Sequence, residues 1–499
     1  MNIAELFFEA AHKYPDRVAI TYNNRQISYR QLANEVEQTA AYLKKKEIKA
    51  GDRVLVFIPM SVDLYRIVLA LFYIGATAVF LDEWVSKERL RICCRLADCK
   101  AFVGIPKARI FGLFIKELRE IPIKISLKGR DSAPIKIAQV EAEHSALITF
   151  TTGSTGIPKA ADRSHGFLAQ QFEALIKEID PKPEDVDMPV LPIVLFVNLG
   201  IGSTSVIASF KASKPESLKP QKIADLIKRH QVNRITASPF FLRRLSEYAL
   251  AADQEFSTVQ KTFTGGAPVF PSEASLYVRA FPNADCKIVY GSTEAEPISA
   301  ILATELIAAN KDIEKGLAVG APFKDVEIRI IDIVDAPLAK MEQHELEKMQ
   351  KLAGDIGEII VAGDHVLRRY FRNEEAFREN KIKVGAKVWH RTGDSGFIKD
   401  GQLFLTGRCK ELIKAEDGYI STFLIENRLQ EIPQVSCGTL IEIEGQKTLV
   451  LESDASIDDL EPQLKGFKYD RFLVQKSIPR DPRHHSKIDY AKLRLNLRD

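Results

Sequence analysis

The segment Phe150-Thr-Thr-Gly-Ser-Thr-Gly-Ile-Pro-Lys159 combines hydroxyls, two glycines and a final lysine. Residues 146–150, which lead into it, are apolar or β-prone and predict a buried strand. Glycines let a backbone turn closely around an anion, and Lys159 supplies a compact charge suited to a phosphate. Further hydroxyl donors stand at Thr151, Thr152, Ser154 and Thr155. The segment therefore predicts a phosphate-binding loop at the end of a strand.

A flexible surface linker is the alternative interpretation of such a Ser/Thr/Gly run. The loop is not a Walker motif, because that motif requires Gly-Lys followed by Ser or Thr, and Pro158 precedes the lysine here. The buried strand before the run and the Pro-Lys pair after it favour a phosphate site. The choice between the two interpretations depends on the rest of the chain.

Composition limits the possible classes of protein. The chain has 499 residues, enough for about two to four domains, and 45% of them are hydrophobic and 27% charged, as in soluble globular proteins. The net charge of +3 predicts no general attraction to nucleic acid. The six cysteines are too few for a disulfide scaffold, and Cys93, Cys94 and Cys99 lack the spacing of a zinc site. We expect reduced, mostly buried thiols.

The apolar segments do not predict a membrane protein. Residues 1–13 form an amphipathic pattern with acidic residues and no basic leader, so they do not resemble a signal peptide. The most apolar run, residues 67–81, is short for a membrane span and contains Gly75. It suits a helix, a turn and a buried strand. We therefore expect a cytoplasmic protein without a transmembrane segment.

Helical and strand patterns alternate over residues 1–315 and predict an α/β fold. Residues 51–58, 76–81 and 101–104 are continuous apolar strands, as in parallel sheets covered on both faces. Residues 18–22 and 26–28 instead predict a hairpin. Two later strands end in glycine turns, Gly265-Gly-Ala-Pro268 and Tyr290-Gly-Ser-Thr-Glu294. In a parallel sheet these turns would meet the phosphate loop in one crevice at the carboxyl ends of the strands.

The apolar stretch at residues 191–207 allows two interpretations, buried core or one wall of a pocket for an apolar substrate. Its candidate pocket residues are Phe196, Val197, Asn198 and Gly200.

The pattern changes after about residue 316. Short alternating strands at residues 326–332, 357–363 and 402–406 predict a small antiparallel β-unit, and residues 340–352 predict an exposed helical insertion. A boundary near Arg408 precedes a final stretch with its own strands and helices. The expected architecture is an N-terminal domain of residues 1–407, with two parallel-sheet α/β subdomains to about residue 315 and a small β-barrel-like unit at about 316–407. A small, mobile α+β domain of residues 408–499 follows.

Taken together, these motifs resemble the superfamily of adenylate-forming enzymes, which includes acyl-CoA synthetases, adenylation domains and luciferases. The resemblance covers roughly residues 3–495 and follows the order of the family's motifs. Residues 151–159 resemble its phosphate loop, and Trp389-His-Arg-Thr-Gly-Asp394 resembles its ribose-binding segment. The resemblance implies nucleotide contacts from Thr151, Thr152, Gly153, Ser154, Thr155, Gly156, Lys159, Gly265, Gly266, Ala267, Pro268, Tyr290, Gly291, Ser292, Thr293, Asp394 and Arg408.

The chemistry of ATP explains these residue types. A carboxylate that meets the α-phosphate must have its charge neutralised by loop N–H groups, a metal and a mobile cation. Glu294 is a hard-oxygen ligand suited to Mg²⁺, and Tyr290 offers an aromatic face to adenine. Asp394 can accept hydrogen bonds from two ribose hydroxyls, and Arg408 can donate to the ribose or to a phosphate. Each of these residues also has an alternative interpretation. Tyr290 could be a core tyrosine, Asp394 could belong to a turn, and Arg408 could form a surface ion pair.

The C-terminal motifs imply a domain that moves between half-reactions. Lys487 lies where the family carries its C-terminal catalytic lysine, and Lys410 matches the family hinge. The implied catalytic residues are thus Lys487, Glu294 and Thr155, with Glu294 also the metal ligand. This chain departs from the family at Ser486, where Gly usually precedes the lysine, and at residues 160–161, where Ala-Ala replaces a common Gly.

A narrower resemblance points to one branch of the family. Residues 101–108, 191–200 and 481–487 are similar to β-lactone synthetases of bacterial olefin synthesis, whose members are often described as fatty-acid CoA ligases. That branch carries an Arg-His pair just upstream of the terminal lysine, and Arg483 and His484 fit it.

The expected activity is the ATP-dependent activation of a carboxylic acid, fatty or β-hydroxy fatty, to an acyl-adenylate with Mg²⁺ as cofactor. CoA is the preferred acceptor for the second step. The alternatives are an acyl carrier protein and the substrate's own β-hydroxyl, whose attack would close a β-lactone and gain from being intramolecular. A non-catalytic nucleotide- or acyl-binding regulator is the rival from another class. A dehydrogenase ranks far lower, because no Gly-x-Gly-x-x-Gly opens a helix after a strand in the first half.

Overall fold

The structure is a computed structural model that describes residues 1–23, 25–81, 87–151, 158–210, 214–309, 316–416, 418–481 and 487–497. The strands are β1 Val18–Tyr22, β2 Arg25–Ser28, β3 Arg53–Phe57, β4 Thr77–Phe80, β5 Ala101–Gly104, β6 Ile123–Ile125, β7 Ser145–Thr151, β8 Lys159–Ser164, β9 Val186–Pro189, β10 Thr204–Ile207, β11 Arg234–Ala237, β12 Lys261–Gly265, β13 Asp285–Ser292, β14 Ala295–Leu302, β15 Leu317–Pro322, β16 Glu327–Ile331, β17 Gly357–Ala362, β18 Lys381–Val384, β19 Lys387–Lys399, β20 Gln402–Arg408, β21 Ile413–Ala415, β22 Gly418–Ile420, β23 Cys437–Ile443, β24 Gln446–Glu452 and β25 Arg471–Gln475.

The helices alternate with these strands in the first part of the chain. They are α1 Ala4–Lys13, α2 Tyr29–Lys45, α3 Val62–Tyr73, α4 Lys87–Ala97, α5 Pro106–Leu113, α6 Lys116–Arg119, α7 His165–Ile179, α8 Pro192–Ile201, α9 Pro220–His230, α10 Pro239–Ala251, α11 Pro271–Ala280, α12 Ala303–Ala309, α13 Gln343–Lys348, α14 Glu374–Asn380, α15 Thr422–Gln430, α16 Ile457–Leu460 and α17 Tyr490–Asn496. Short 3₁₀ turns lie at Pro215–Ser217, Cys409–Glu411 and Glu461–Leu464.

Serine side chains cap the first turns of several helices. Ser28 caps α2 in a capping box with Gln31, and Ser61, Ser164 and Ser238 accept hydrogen bonds from the first turns of α3, α7 and α10. The apolar run at residues 67–81 forms most of α3, a turn at Gly75 with φ +75°, and β4, as predicted. No helix in the described ranges is both long and apolar enough to cross a bilayer.

Two α/β sheets account for the first 315 residues, and the fold class is α/β as expected. One sheet has the order β6-β5-β3-β4-β7-β8, parallel except for β8. The other begins β2-β1-β10-β9-β11-β12-β13 and is parallel from β1 to β13. All residues of β5 and β11 are buried, which explains why these strands lack polar alternation.

The predicted β-unit is joined directly to the second sheet. Strands β14, β15, β20, β19, β17 and β16 extend that sheet in antiparallel pairs, so pairing changes from parallel to antiparallel at β13 and β14. The change in pattern predicted near residue 316 falls at β15. The helical insertion predicted at residues 340–352 is shorter, because only Gln343–Lys348 are helical and Lys340 and Gln350 form isolated β-bridges with Lys383 and Ile331.

The last part of the chain forms the β23-β24-β25 sheet and the packed helices around it. Its first helix also contacts the large sheet. The Ser421 hydroxyl donates to the Thr406 carbonyl at 2.8 Å, and the Phe423 ring packs edge-on against Phe270 at 6.0 Å. The expected domain boundary at residues 407–408 falls at the end of β20.

Candidate functional site

The phosphate loop predicted from sequence joins two paired strands. β7 ends at Thr151, β8 begins at Lys159, and these two residues are partners in the antiparallel register. The predicted phosphate-binding residues Thr152, Gly153, Ser154, Thr155 and Gly156 lie outside the described residues, as does the Thr151 side chain. Thr151 and Lys159, on either side of the loop, are paired with each other, and Lys159 lies on β8 at the edge of the first sheet.

Lys159 is held by a residue far away in the sequence. Its Nζ donates a 2.5 Å hydrogen bond to Asn380 Oδ1, at the end of α14. Burial lowers the pKa of the Lys159 ammonium, and the negative charge of Glu294 opposes that effect. The positive charges of Arg408 and Lys410 also lower this pKa. The charge of Lys159 in the phosphate loop is thus influenced by Glu294 in the turn at residues 290–294 and by the hinge residues.

The two predicted glycine turns lie side by side. β12 and β13 are parallel neighbours, with Gly265 opposite Val289. A Cβ on Gly265 would lie 2.4 Å from the Val289 carbonyl oxygen, so only glycine fits there. Gly266 has φ +88°, and the chain continues through Ala267 and Pro268 toward α11. The carboxyl ends of β12 and β13 therefore lie side by side. Contrary to the expectation from the sequence, the phosphate loop does not share their sheet, because β7 and β8 belong to the other sheet.

Glu294 lies in the turn between β13 and β14, directly after Gly291, Ser292 and Thr293. Its side chain is 8% exposed. The Tyr370 hydroxyl donates to Glu294 Oε1 at 3.2 Å, and the Leu367 N–H donates to the Glu294 carbonyl at 2.6 Å. Arg163 Nη2 donates to the Thr293 carbonyl at 3.2 Å. Glu294 is thus a carboxylate on a well-anchored turn.

Asp394 and Arg408 face each other across β19 and β20. They are register partners, and Arg408 Nη1 donates to Asp394 Oδ1 at 2.6 Å. The Tyr290 hydroxyl donates to Asp394 Oδ2 at 2.8 Å. The Asp394 carboxylate raises the pKa of Arg408, while burial and then Asp394 raise the pKa of Tyr290. Three residues expected at one nucleotide are therefore in direct contact, and each Asp394 oxygen retains lone pairs for a further donor.

A buried lysine, Lys381, neighbours the same Tyr370 that donates to Glu294. Lys381 is fully buried, its Nζ donates to the Leu367 carbonyl, and its ammonium lies 5.5 Å from the centre of the Tyr370 ring. Burial lowers the pKa of Lys381 to about 7, opposed by the charge of Glu294. The neighbouring His390 is 4% exposed, and burial lowers its pKa well below the usual value.

Sequence reasoning missed Tyr370, Asn380 and Lys381. They contact the predicted residues only through pairings over long sequence separations, 76 residues for Tyr370–Glu294 and 221 for Asn380–Lys159. A Tyr, an Asn and a Lys in a charged stretch carry no local pattern that would have identified them.

The candidate acyl-pocket residues lie in α8 and in packed surroundings. Asn198 Nδ2 donates to Asp187 Oδ2 at 2.8 Å and to Ser205 Oγ at 3.1 Å, and burial raises the pKa of Asp187 to about 6. Val197 is 2% exposed and Asn198 1%. For these two residues the structure supports the buried-core alternative.

The other two candidates contact aromatic rings. The Phe196 ring lies 4.9 Å from the Tyr65 ring, and a Cβ on Gly200 would lie 2.5 Å from the Phe172 ring. A role for all four residues in binding an acyl chain stays a prediction.

Lys410 and Lys487 follow the other predicted site residues in the sequence. Lys410 belongs to the 3₁₀ turn Cys409–Glu411, directly after Arg408. Lys487 is exposed, its N–H donates to Asp481 Oδ1 at 3.0 Å, and its carbonyl accepts from the Asp481 N–H. In this arrangement Lys487 is exposed next to Asp481. The residues Arg483, His484 and Ser486 lie outside the described ranges.

The site offers one suitable metal ligand from a predicted residue. Among the residues that the structure describes, no group of three His, Cys, Asp or Glu side chains could hold a metal ion. Mg²⁺ commonly binds one or two carboxylates together with substrate phosphates, so a single anchored Glu294 fits that ion when a nucleotide supplies the remaining oxygens.

Comparisons with known proteins agree with this geometry. The family model described as AMP-binding enzyme matches residues 7–371. An olefin β-lactone synthetase of Xanthomonas campestris pv. campestris is 28% identical to this chain over 547 aligned positions, which cover 99% of this chain and 97% of that protein.

Solved structures have the same overall fold. The amide bond synthetase McbA from Marinactinospora thermotolerans superposes with a TM-score of 0.82 at 21% identity, covering 99% of each chain. ATP-bound MatB from Rhodopseudomonas palustris also gives a TM-score of 0.82, at 23% identity, covering 100% of this chain and 99% of that one.

Proposed function

The chain belongs to the AMP-binding enzyme family, and from that premise we propose that it joins a carboxylic acid to AMP with release of pyrophosphate. ATP and Mg²⁺ are the co-substrate and cofactor of this reaction. One observation carries the proposal. Tyr290 and Arg408 both donate hydrogen bonds to Asp394, so residues from three separated motifs meet at one carboxylate, and the charges of Glu294 and Arg408 both influence the pKa of Lys159.

Each of these residues has a role that fits the chemistry. Lys159 and the loop N–H groups bind phosphate, and Tyr290 flanks the adenine. Glu294 would hold Mg²⁺ together with phosphate oxygens. Asp394, with Arg408, binds the ribose hydroxyls. Mg²⁺ supplies charge neutralisation at the phosphates when it is bound.

The acyl-adenylate step follows from this arrangement. An oxygen of the substrate carboxylate attacks the α-phosphorus, the bond from that phosphorus to the β-phosphate oxygen breaks, and pyrophosphate leaves. The negative charge that develops at the phosphate is stabilised by the loop N–H groups and Lys159. Lys487 is the mobile cation of this step, brought to the phosphate by a rotation at Lys410. The assignments of Thr155 and Lys487 as catalytic residues rest on the sequence resemblance.

We further propose that the acid is fatty or β-hydroxy fatty and that the acyl group is then transferred. The similarity to olefin β-lactone synthetases along 99% of the chain favours ring closure by the substrate's own β-hydroxyl. In that step the hydroxyl oxygen bonds to the acyl carbon, its proton is lost, and AMP leaves. Transfer to CoA, the acceptor preferred from the sequence, and transfer to a carrier protein are the alternatives. The six free cysteines fit a reducing location such as the cytoplasm.

The test is mass spectrometry of the products formed from ATP with simple and β-hydroxy fatty acids, with and without CoA. We expect pyrophosphate release with both acids and a lactone from the β-hydroxy acid without CoA. A thioester formed only with CoA would identify the enzyme as a CoA ligase instead. No acid-dependent pyrophosphate release across an acid panel would favour a nucleotide-binding regulator.

A further inference from the structure

The outward face of helix α5 carries large apolar side chains. Ile110, Phe111, Leu113 and Phe114 are 59%, 38%, 62% and 78% exposed, and they lie within five consecutive positions. We call these four residues the α5 patch. Single exposed apolar residues are ordinary, but contiguous ones mark sites of interaction.

The inward face of α5 carries the small residues. Ala108 and Gly112, four positions apart, are the buried residues of this helix. Gly112 lies against Leu118, to which an added Cβ would come within 3.6 Å, and Ala108 lies close to Gly104. A helix on a protein surface normally turns its large apolar residues inward. Here the close approach of the small face to the sheet fixes the opposite orientation.

Basic side chains surround the α5 patch. Between Pro106 and Arg119 the sequence contains four basic residues and one acidic residue, Glu117. Lys107, Arg109, Lys116 and Arg119 are all exposed. Glu117 forms an ion pair with Arg91 at 3.7 Å, on the neighbouring helix α4. Within the described ranges, no ion pair joins a carboxylate to Lys107 or Arg109. Lys116 forms an ion pair with Glu120 at 3.7 Å. Positive charge therefore borders the α5 patch chiefly at Lys107 and Arg109.

We propose that the α5 patch docks the enzyme on an anionic phospholipid bilayer. The four apolar side chains enter the boundary between headgroups and acyl chains, and the basic side chains contact the phosphates. This binding is peripheral and goes beyond the adenylation chemistry. It does not depend on which acid the enzyme activates.

Basic side chains beside exposed apolar ones favour a lipid bilayer as the occupant of the α5 patch. A bilayer requires no shape complementarity, since the fluid lipid adapts to the side chains. Positive charge beside an apolar surface complements an anionic lipid leaflet.

The experiment is sedimentation of the full chain with vesicles of phosphatidylcholine alone and with about 30% phosphatidylglycerol, a composition chosen to give an anionic surface. The test variant is L113E/F114E. The matched control is L352E/L495E, which makes the same change in net charge at positions with nearly the same exposure, 79% and 63%. Because all four positions are exposed, we expect both variants to fold.

We expect the wild type and the control to bind the anionic vesicles, and L113E/F114E to bind at least about tenfold more weakly. A charge variant, K107E/R109E, should bind anionic vesicles more weakly as well, and salt should weaken wild-type binding. Equal binding of all variants, equal binding to neutral vesicles, or no wild-type binding would overturn the proposal. So would a wild-type dimer that L113E/F114E converts to a monomer, because a second copy would then cover the patch.

Discussion

The Lys159 ammonium and the Asn380 side-chain oxygen are joined by a 2.5 Å hydrogen bond across 221 residues of sequence. Asn380 ends α14 and also donates to the Ala376 carbonyl at 2.8 Å, so its amide is fixed from both sides. A lysine that is partly removed from water needs such a partner to keep its charge in place. Asn380 therefore positions the cation that we propose for phosphate binding.

Replacing Asn380 by alanine should raise the KM for ATP about three- to tenfold, because Lys159 loses the acceptor that orients it. Steady-state kinetics of pyrophosphate release would measure the change. E375A is the matched control, since Glu375 is exposed on the same helix. That control should leave the KM for ATP unchanged. An equal increase in KM in both variants would mean that the effect comes from disturbing helix α14 and not from losing the Asn380–Lys159 hydrogen bond.

Replacing Asp394 by alanine should weaken ATP and AMP binding about 10- to 100-fold, because a charged acceptor of two ribose hydrogen bonds is lost. Isothermal titration calorimetry would measure it. The fold should tolerate the change, since the Arg408 side chain is 53% exposed and water can replace its ion pair. Y290F, which removes one donor to Asp394, should have a smaller effect. An unaltered nucleotide affinity in D394A would remove Asp394 from the ribose site.

Replacing Glu294 by glutamine should lower the apparent affinity for Mg²⁺ at least about tenfold, because the neutral amide is a poorer ligand for a hard cation. The amide oxygen can still accept from Tyr370, so the turn should keep its conformation. Pyrophosphate release measured across a Mg²⁺ titration would show the shift. The control is E305Q on helix α12, where Glu305 is exposed and accepts only the Leu302 N–H among the described hydrogen bonds. If both variants gave the same Mg²⁺ curve, Glu294 would not be the ligand.

Replacing Lys487 by alanine should lower acid-dependent pyrophosphate release at least about 100-fold while ATP binding survives. The reason is that Lys487 is the proposed mobile cation of the adenylation step, whereas the residues proposed to bind ATP are unchanged in this variant. Lys492, exposed on α17, gives the control K492A, which should keep full activity. Unchanged turnover in K487A would remove this lysine from the mechanism.

Lys381 should make stability depend on pH. Its pKa is lowered in the folded protein to about 7, so between about pH 7 and 10 the unfolded chain binds more protons than the native one. Stability therefore gains up to about 1.4 kcal/mol per pH unit from this group as the pH rises through that window. In K381M this contribution is absent. Urea unfolding should show that the stability of K381M relative to wild type falls from pH 7 to pH 10, and a constant difference would contradict a buried, neutral Lys381.

Local patterns were enough to predict most elements of the fold. Apolar runs predicted buried strands such as β5, because this signal acts over a few residues. The pattern failed at residues 340–352, where Lys340 and Gln350 pair with distant strands instead of continuing the helix. The apolar surroundings of Val197 and Asn198 suited both a core and a pocket, and the structure shows that both residues are buried.

The sequence by itself determined the family, the α/β class and the residue types of the site, because glycines, a lysine and carboxylates at fixed spacings reflect the chemistry of a nucleotide. Only the tertiary structure decided which groups support them. Strand pairing set Asp394 against Arg408, and chain folding brought Asn380 to Lys159 and Tyr370 and Lys381 to Glu294. It also turned the large side chains of α5 toward solvent. Such contacts depend on packing between segments far apart in the chain, and a local sequence pattern does not predict that packing.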